Sequence, residues 1–296
     1  MAYCLGQCQD PSAIVVLKST LANASEHPMV RHEAGEALGA IGDPESLAFL
    51  QTFLDDPEPA VAQTVELALA RIAWLSAQGK PKSLENESES ESEKKSEKKS
   101  EKEQKVGKVG KEGGVEFTSV DPAPGYLATT AATSSSSSSS GESELDCCYR
   151  LLVDETQDLF TRYRALFTLR NVKRENVCDR SKAAALLCTA LNDAKYELPS
   201  DLLRHEIAFV LGQIALESCE PALTKALSDT RNVHMVRHEA AEALGEIASL
   251  TAMQTLQAYC NDSCEVVAES CQVAIDAWKH NADDSAFQYA NGLEVL

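Results

Sequence analysis

The chain has 296 residues, a formal charge of −19, 44% hydrophobic residues and only 5% aromatic ones. So acidic a chain is not a general nucleic-acid binder, which neutralises phosphates with clustered Lys and Arg, and it suits a cationic partner. No basic segment followed by an apolar run opens it, and no apolar run approaches the roughly 18–20 residues needed to span a bilayer. A soluble, cytoplasmic protein is expected, with neither nucleic acid nor membrane as partner.

Residues 1 to about 76 read as helices: Ala13 to Leu21, His32 to Ile41, Glu45 to Leu54 and Pro59 to Leu75. Breaks fall at Gly42-Asp43-Pro44 and Asp55-Asp56-Pro57, where glycine closes one helix and proline opens the next at its first turn. Val30, Ala34, Ala37, Leu38 and Ile41 have the spacing of one buried stripe. From 77 to 144 the pattern gives way to Lys-Ser-Glu tracts, glycines and the run Ser134 to Ser140. So little apolar surface cannot offset an ordering cost of roughly 1–2 kcal/mol per residue, and a disordered tether is expected. Helical patterning resumes near Leu145 and continues through 161–171, 182–191 and two further helices. The expected organisation is an N-terminal half (1–76), a linker (77–144) and a C-terminal half (145–296).

The two halves share a sequence. Met29-Val30-Arg31-His32-Glu33-Ala34-Gly35-Glu36-Ala37-Leu38-Gly39-Ala40-Ile41 returns, 206 positions later, as the stretch from Met235 to Ile247, with changes only at Gly35/Ala241 and Ala40/Glu246. A third version, Leu203-Arg204-His205-Glu206-Ile207, lies 33 positions before the last. Its own counterpart falls at the start of the chain, where Ala2, Leu5, Gly6 and Gln7 match Ala208, Leu211, Gly212 and Gln213. A helical-hairpin solenoid of duplicated repeats follows, each repeat burying its apolar face on its neighbours. Four His-Glu pairs are expected, the fourth falling on the two positions before Met1. The same register sets Cys4 on Val210, Cys8 on Ile214, Cys260 on Leu54 and Cys271 on Val65, so these cysteines are expected as small buried hydrophobes. Cys147-Cys148 has no such assignment.

Residues i and i+1 of a helix point about 100° apart, so one His-Glu pair does not close a metal site. On equivalent turns of neighbouring helices, about 8–10 Å apart, His205 and His238 can reach one ion, with Glu206 and Glu239 beside them. Imidazole with carboxylate is the ligand set of non-haem iron. Arg31, Arg204 and Arg237, each preceding a pair, either hold carboxylates behind the ligands or are solvated charges. His27, His234 and His280 lack the register and are expected as exposed polar residues. His-Glu-x-x-His, a Gly-rich phosphate loop and G-x-S-x-G do not occur.

These segments, with Ala2-Tyr3-Cys4-Leu5-Gly6-Gln7, Asp121-Pro122-Ala123-Pro124 and Phe287-Gln288-Tyr289-Ala290-Asn291-Gly292-Leu293, resemble the deoxyhypusine hydroxylases over nearly all of the chain outside the linker. The resemblance implies an all-α solenoid of HEAT-like repeats in two pseudo-symmetric halves. It also implies an O2-dependent monooxygenase that completes hypusine on eukaryotic translation initiation factor 5A. Two Fe(2+) ions would sit between the halves. Carried over by motif, His205, His238 and Glu239 ligate one iron and His32 and Glu33 serve the other. Glu206 stands near the substrate amine, so that Glu206 and Glu33 are the expected catalytic carboxylates. With the fourth pair outside residues 1–296, the iron served by His32 and Glu33 is expected to lack one histidine and activity to be impaired. The rival expectation is a non-catalytic repeat scaffold that binds a protein on its concave face. The His-Glu pairs in register argue against it, because packing alone does not ask for His and Glu at the same turn.

Overall fold

The computed structural model describes residues 1–78, 119–126, 143–192 and 200–291, with backbone alone from 281. Among the described residues every regular element is helical. The N-terminal half contributes α1 (Ala2–Cys8), α2 (Ile14–Ala22), α3 (Pro28–Ile41), α4 (Leu47–Gln51) and α5 (Pro59–Gln78). The C-terminal half contributes α6 (Glu144–Val153), α7 (Leu159–Arg170), α8 (Val177–Asn192), α9 (Asp201–Ile214), α10 (Glu220–Ser228), α11 (His234–Ile247), α12 (Leu250–Tyr259) and α13 (Glu265–Asn291).

The helices that carry the repeated motif form an inner layer: α1 packs on α3 and α3 on α5, as α9 packs on α11 and α11 on α13. The remaining helices cover them. Leu17, Leu21, Leu38, Leu50, Val61 and Ile72 fill the first core, and a larger one is built on Tyr163, Phe167, Leu203, Leu211, Val236 and Leu244. The halves meet where α5 packs on α7 and α9, and Ser200 Oγ there donates to Gln63 Oε1 at 2.7 Å.

Helix ends follow the sequence signals. Pro28 opens α3, and Gly42 closes it at φ 75°, a left-handed conformation that costs glycine no Cβ clash. Asp10 and Asp43 each accept a backbone N–H two residues on, from Ser12 and Glu45. The stretch expected as one helix from Glu45 to Leu54 is instead a 3-10 turn, Pro44–Ser46, followed by the five-residue α4.

Two of the three motif arginines, and Arg162 of α7, are structural. Arg31, Arg162 and Arg237 each donate Nε–H to the carbonyl ten residues earlier, of Leu21, Leu152 and Leu227. Arg31 and Arg237 also grip Asp56 and Asp262 with both terminal nitrogens. Each clamp ties one hairpin together, away from the histidines. Arg204 differs, reaching Asn232 and Asp201 at the surface.

Expected burial is corrected at three residues: Val30, placed in the buried stripe, is 40% exposed. Cys4 and Cys8 are exposed, although their counterparts Val210 and Ile214 are buried. No described helix covers the outer side of α1 as α7 and α8 cover α9. Cys271 is buried and Cys260 partly so, while Cys148 is a buried core residue and its neighbour Cys147 is partly exposed.

Part of the stretch expected as a disordered tether is described. Residues 119–126 form a strap across both halves. Val120 exchanges two hydrogen bonds with the Gln7 side chain, and Asp121 takes both terminal nitrogens of buried Arg170. Ala123 is fully buried, Pro124 O accepts from Arg164, and Tyr126 N donates to Thr168. The Lys-Ser-Glu and Ser134–Ser140 tracts lie outside the described residues.

Candidate metal centre

Three imidazoles stand in a row where the halves meet. His32 of α3 lies edge-on to His205 of α9, with centroids 5.5 Å apart, and His205 faces His238 of α11 at 5.3 Å. All three are buried. His205, His238 and Glu239 each offer one ligand atom within 4.8 Å of the others. Adjacent residues on α11 cannot converge unaided; the group closes because Glu239 reaches across to α9, its Oε2 lying 3.1 Å from His205 Nε2. His32 and Glu33 form a second, looser pair, Nε2 to Oε1, at 3.6 Å. Glu206 is buried beside them on α9 but outside the convergent three.

Glycine sets the spacing of these helices. A Cβ on Gly212 would lie 3.0 Å from Ala243 Cα, and on Gly39 2.9 Å from Ala68 Cα, so each Leu-Gly of the repeat lets its helix meet an alanine of the next at backbone contact. That approach brings α9 close enough to α11 for His205 and His238 to share a centre.

The electrostatics are those of a buried, crowded cluster. Burial, with the neighbouring His205 and His238, holds His32 well below the usual histidine range. Burial alone would depress His205 too, but Glu239, Glu206 and Glu33 lift it to about 9. Burial raises Glu206 to about 8, with Glu239 and Asp121 adding to the rise against the attraction of His205. Burial raises Glu33 as well.

Both ring nitrogens of His32, Nδ1 of His205, Nε2 of His238 and Oε2 of Glu33 are buried without a hydrogen-bond partner, and His205 Nε2 meets only the Glu239 carboxylate. Each such atom costs about 1–3 kcal/mol when left unsatisfied, and a divalent cation is the group that satisfies several imidazoles and carboxylates together. The donor set fits a metal of the iron type, being nitrogen and hard oxygen without sulfur. Beside it, a cavity of about 290 Å³ is bounded by Tyr3, Phe209, Glu239, Glu242 and Glu246, with the two aromatic rings edge-on at 6.2 Å.

Some neighbours were not singled out in the sequence. Glu242, one turn beyond His238, stands 3.3 Å from its Nδ1; the repeated Glu at that spacing, Glu36 and Glu242, was the available signal. His27 and His234, though out of register, meet across the halves with ring centroids 5.3 Å apart.

Duplicated helical hairpins enclosing a buried cluster of imidazoles and carboxylates define a repeat solenoid with a candidate metal site. The HEAT-repeat pattern matches residues 1–70 and 194–276. The chain is 40% identical to deoxyhypusine hydroxylase of Homo sapiens over 296 residues, covering 100% of this chain and 80% of that one. It is 37% identical to deoxyhypusine hydroxylase of Drosophila melanogaster over 296 residues, again 100% of this chain and 80% of that one. The solved structure of human deoxyhypusine hydroxylase in complex with glycerol superposes with a TM-score of 0.71 at 39% identity, over 94% of this chain and 78% of that one. The chain belongs to the deoxyhypusine hydroxylase family. No helix among the described residues is long and apolar enough to cross a membrane.

Proposed function

We propose that this enzyme hydroxylates the deoxyhypusine residue of eukaryotic translation initiation factor 5A, using Fe(2+), two ions per complete site, and dioxygen. The observation that carries the metal assignment is the convergent group His205, His238 and Glu239, ringed by imidazole nitrogens without partners. These three residues would hold one ion; His32 and Glu33 would serve the other. Bound there, ferrous iron supplies the capacity to activate dioxygen for insertion of one oxygen atom into a C–H bond, with two electrons supplied from outside.

The protein's own groups bind and orient the substrate. A deoxyhypusine arm carries protonated amines, and charge-assisted hydrogen bonds to carboxylates are its natural recognition. Glu206 provides a buried carboxylate, and Glu242 and Glu246 line the cavity that opens beside Glu239. Tyr3 and Phe209, edge-on at 6.2 Å, would wall the methylene stem. Burial, with Glu239 and Asp121, raises the Glu206 carboxyl, and an ammonium group beside it would favour the anion.

The test is anaerobic loading with Fe(II), removal of free metal, elemental analysis, and mass spectrometry of the deoxyhypusine-bearing factor after aeration with a reductant. Retained iron and a mass gain of one oxygen atom are expected. A well-folded chain that retains no iron and leaves the substrate mass unchanged would leave only a binding role.

A further inference from the structure

The duplicated motif contains a glutamate one helical turn after the metal-type histidine: Glu36 follows His32, and Glu242 follows His238. Facing each is a hydroxyl in the same register, Thr64 of α5 and Ser270 of α13, again 206 positions apart. The sequence therefore supplies a His-Glu-hydroxyl set twice.

Only one set is assembled. In the C-terminal half His238 Nδ1 lies 3.3 Å from Glu242 Oε1, and Ser270 Oγ donates to the same oxygen at 3.4 Å. A carboxylate only accepts, so this contact asks for the ring proton on Nδ1 and leaves the lone pair to Nε2, which is buried without a hydrogen-bond partner. In the N-terminal half both His32 nitrogens and Thr64 Oγ1 are buried without a hydrogen-bond partner. Glu36 there borders a small enclosed cavity with Thr64, Arg71 and Tyr163.

We propose that Glu242, itself held by Ser270, is a positioning residue. It fixes the tautomer and orientation of His238 so that Nε2 is offered to the metal, and its duplicate Glu36 has no such role toward His32. The chemistry is that of a ligand histidine whose second nitrogen donates to a carboxylate, which raises ligand basicity and locks the ring; losing such a partner typically costs about 10–100-fold in metal affinity. The proposal rests on the reading of this cluster as a metal centre, so its test has one arm that needs no metal. Glu242 is half-exposed, and its variants are expected to fold.

In the first arm, nitrogen-15 spectra of histidine-labelled, metal-free protein report the His238 tautomer. The wild type and Glu242→Gln, whose amide oxygen still accepts, are expected in the Nδ1–H form; Glu242→Ala is expected to shift to Nε2–H. In the second arm, Co(2+) is titrated and read by its visible absorption. Glu242→Ala should bind about 10–100-fold more weakly than wild type, with Glu242→Gln restoring most of the loss and Glu36→Ala staying within about threefold. A wild-type His238 in the Nε2–H form, or Glu242→Ala with wild-type cobalt affinity and spectrum, would overturn the proposal. So would a Glu242→Gln as weak as the alanine variant, because charge rather than ring orientation would then be at work. A wild type with the expected tautomer that binds no cobalt would remove the metal reading and leave Glu242 holding the ring.

Discussion

Gly212→Ala inserts one methyl group between the two helices that bear the convergent ligands. Its carbon would stand 3.0 Å from Ala243 Cα and 3.1 Å from Ala243 Cβ, against about 3.5–4.0 Å for carbon atoms in optimal contact. Neither neighbour is the end of a flexible side chain, so α9 and α11 must part by several tenths of an ångström. Overpacking of this kind costs about 1–3 kcal/mol, and the better helix propensity of alanine returns about 1 kcal/mol. The net loss is about 0–2 kcal/mol, which at roughly 2–4 °C per kcal/mol lowers Tm by no more than about 8 °C. Because α9 carries His205 and α11 carries His238 and Glu239, the same separation loosens the ligand set, and cobalt affinity should fall about tenfold. Gly39→Ala, where the intruding carbon meets Ala68 Cα at 2.9 Å, should cost similar stability and spare that affinity, since α5 carries none of the three convergent ligands. Calorimetry and cobalt titration of the two variants decide the matter. A Gly212→Ala protein that melts at or above the wild-type temperature with unchanged affinity would refute the claim that glycine sets the spacing.

Three further outcomes follow from the same geometry. Asp262→Ala leaves buried Arg237 without its carboxylate and should cost about 3 kcal/mol at neutral pH. Arg237 holds that carboxyl below the usual range in the folded chain, so its stabilisation is complete above the ordinary aspartate pKa of about 3.9. It fades as pH falls through the lower folded value, and Tm curves of the wild type and the variant should converge in acid; a constant gap would contradict this. Asp121→Ala should lower Tm because Arg170 is buried and the strap is tied through it, whereas an unchanged melt would mean that residues 119–126 merely rest on the surface. His238→Ala should abolish the rise in Tm on adding cobalt while the metal-free protein still melts cooperatively; an undiminished rise would place the metal elsewhere.

The repeated segment made much of the fold legible. Val30, Ala34, Ala37, Leu38 and Ile41 recur at helical spacing, and one register aligns both halves, so helix identity and repeat pairing follow from pattern alone. The His-Glu pairs were conspicuous because packing does not require them. The strap was not legible: Asp121-Pro122-Ala123-Pro124 has no periodicity, and what holds it are side chains distant in the chain, Gln7, Arg164 and Arg170. Cys4 and Cys8 were misplaced for a related reason, since register assigns a position on a helix and burial depends on what packs against that helix.

By itself, then, the order of residues determined which chemical groups the chain has and on which helical turns they stand, because the periods of 33 and 206 positions are properties of the chain. Only the tertiary structure decided which of them meet. The duplication gave Glu36 and Glu242 the same local setting, yet one holds its histidine and the other does not. It gave His205 no special rank, yet His205 lies between His32 and His238 where the halves close. Convergence of side chains depends on the separation of helices, and that separation is set by close contacts such as Gly212 on Ala243, between residues far apart in the chain.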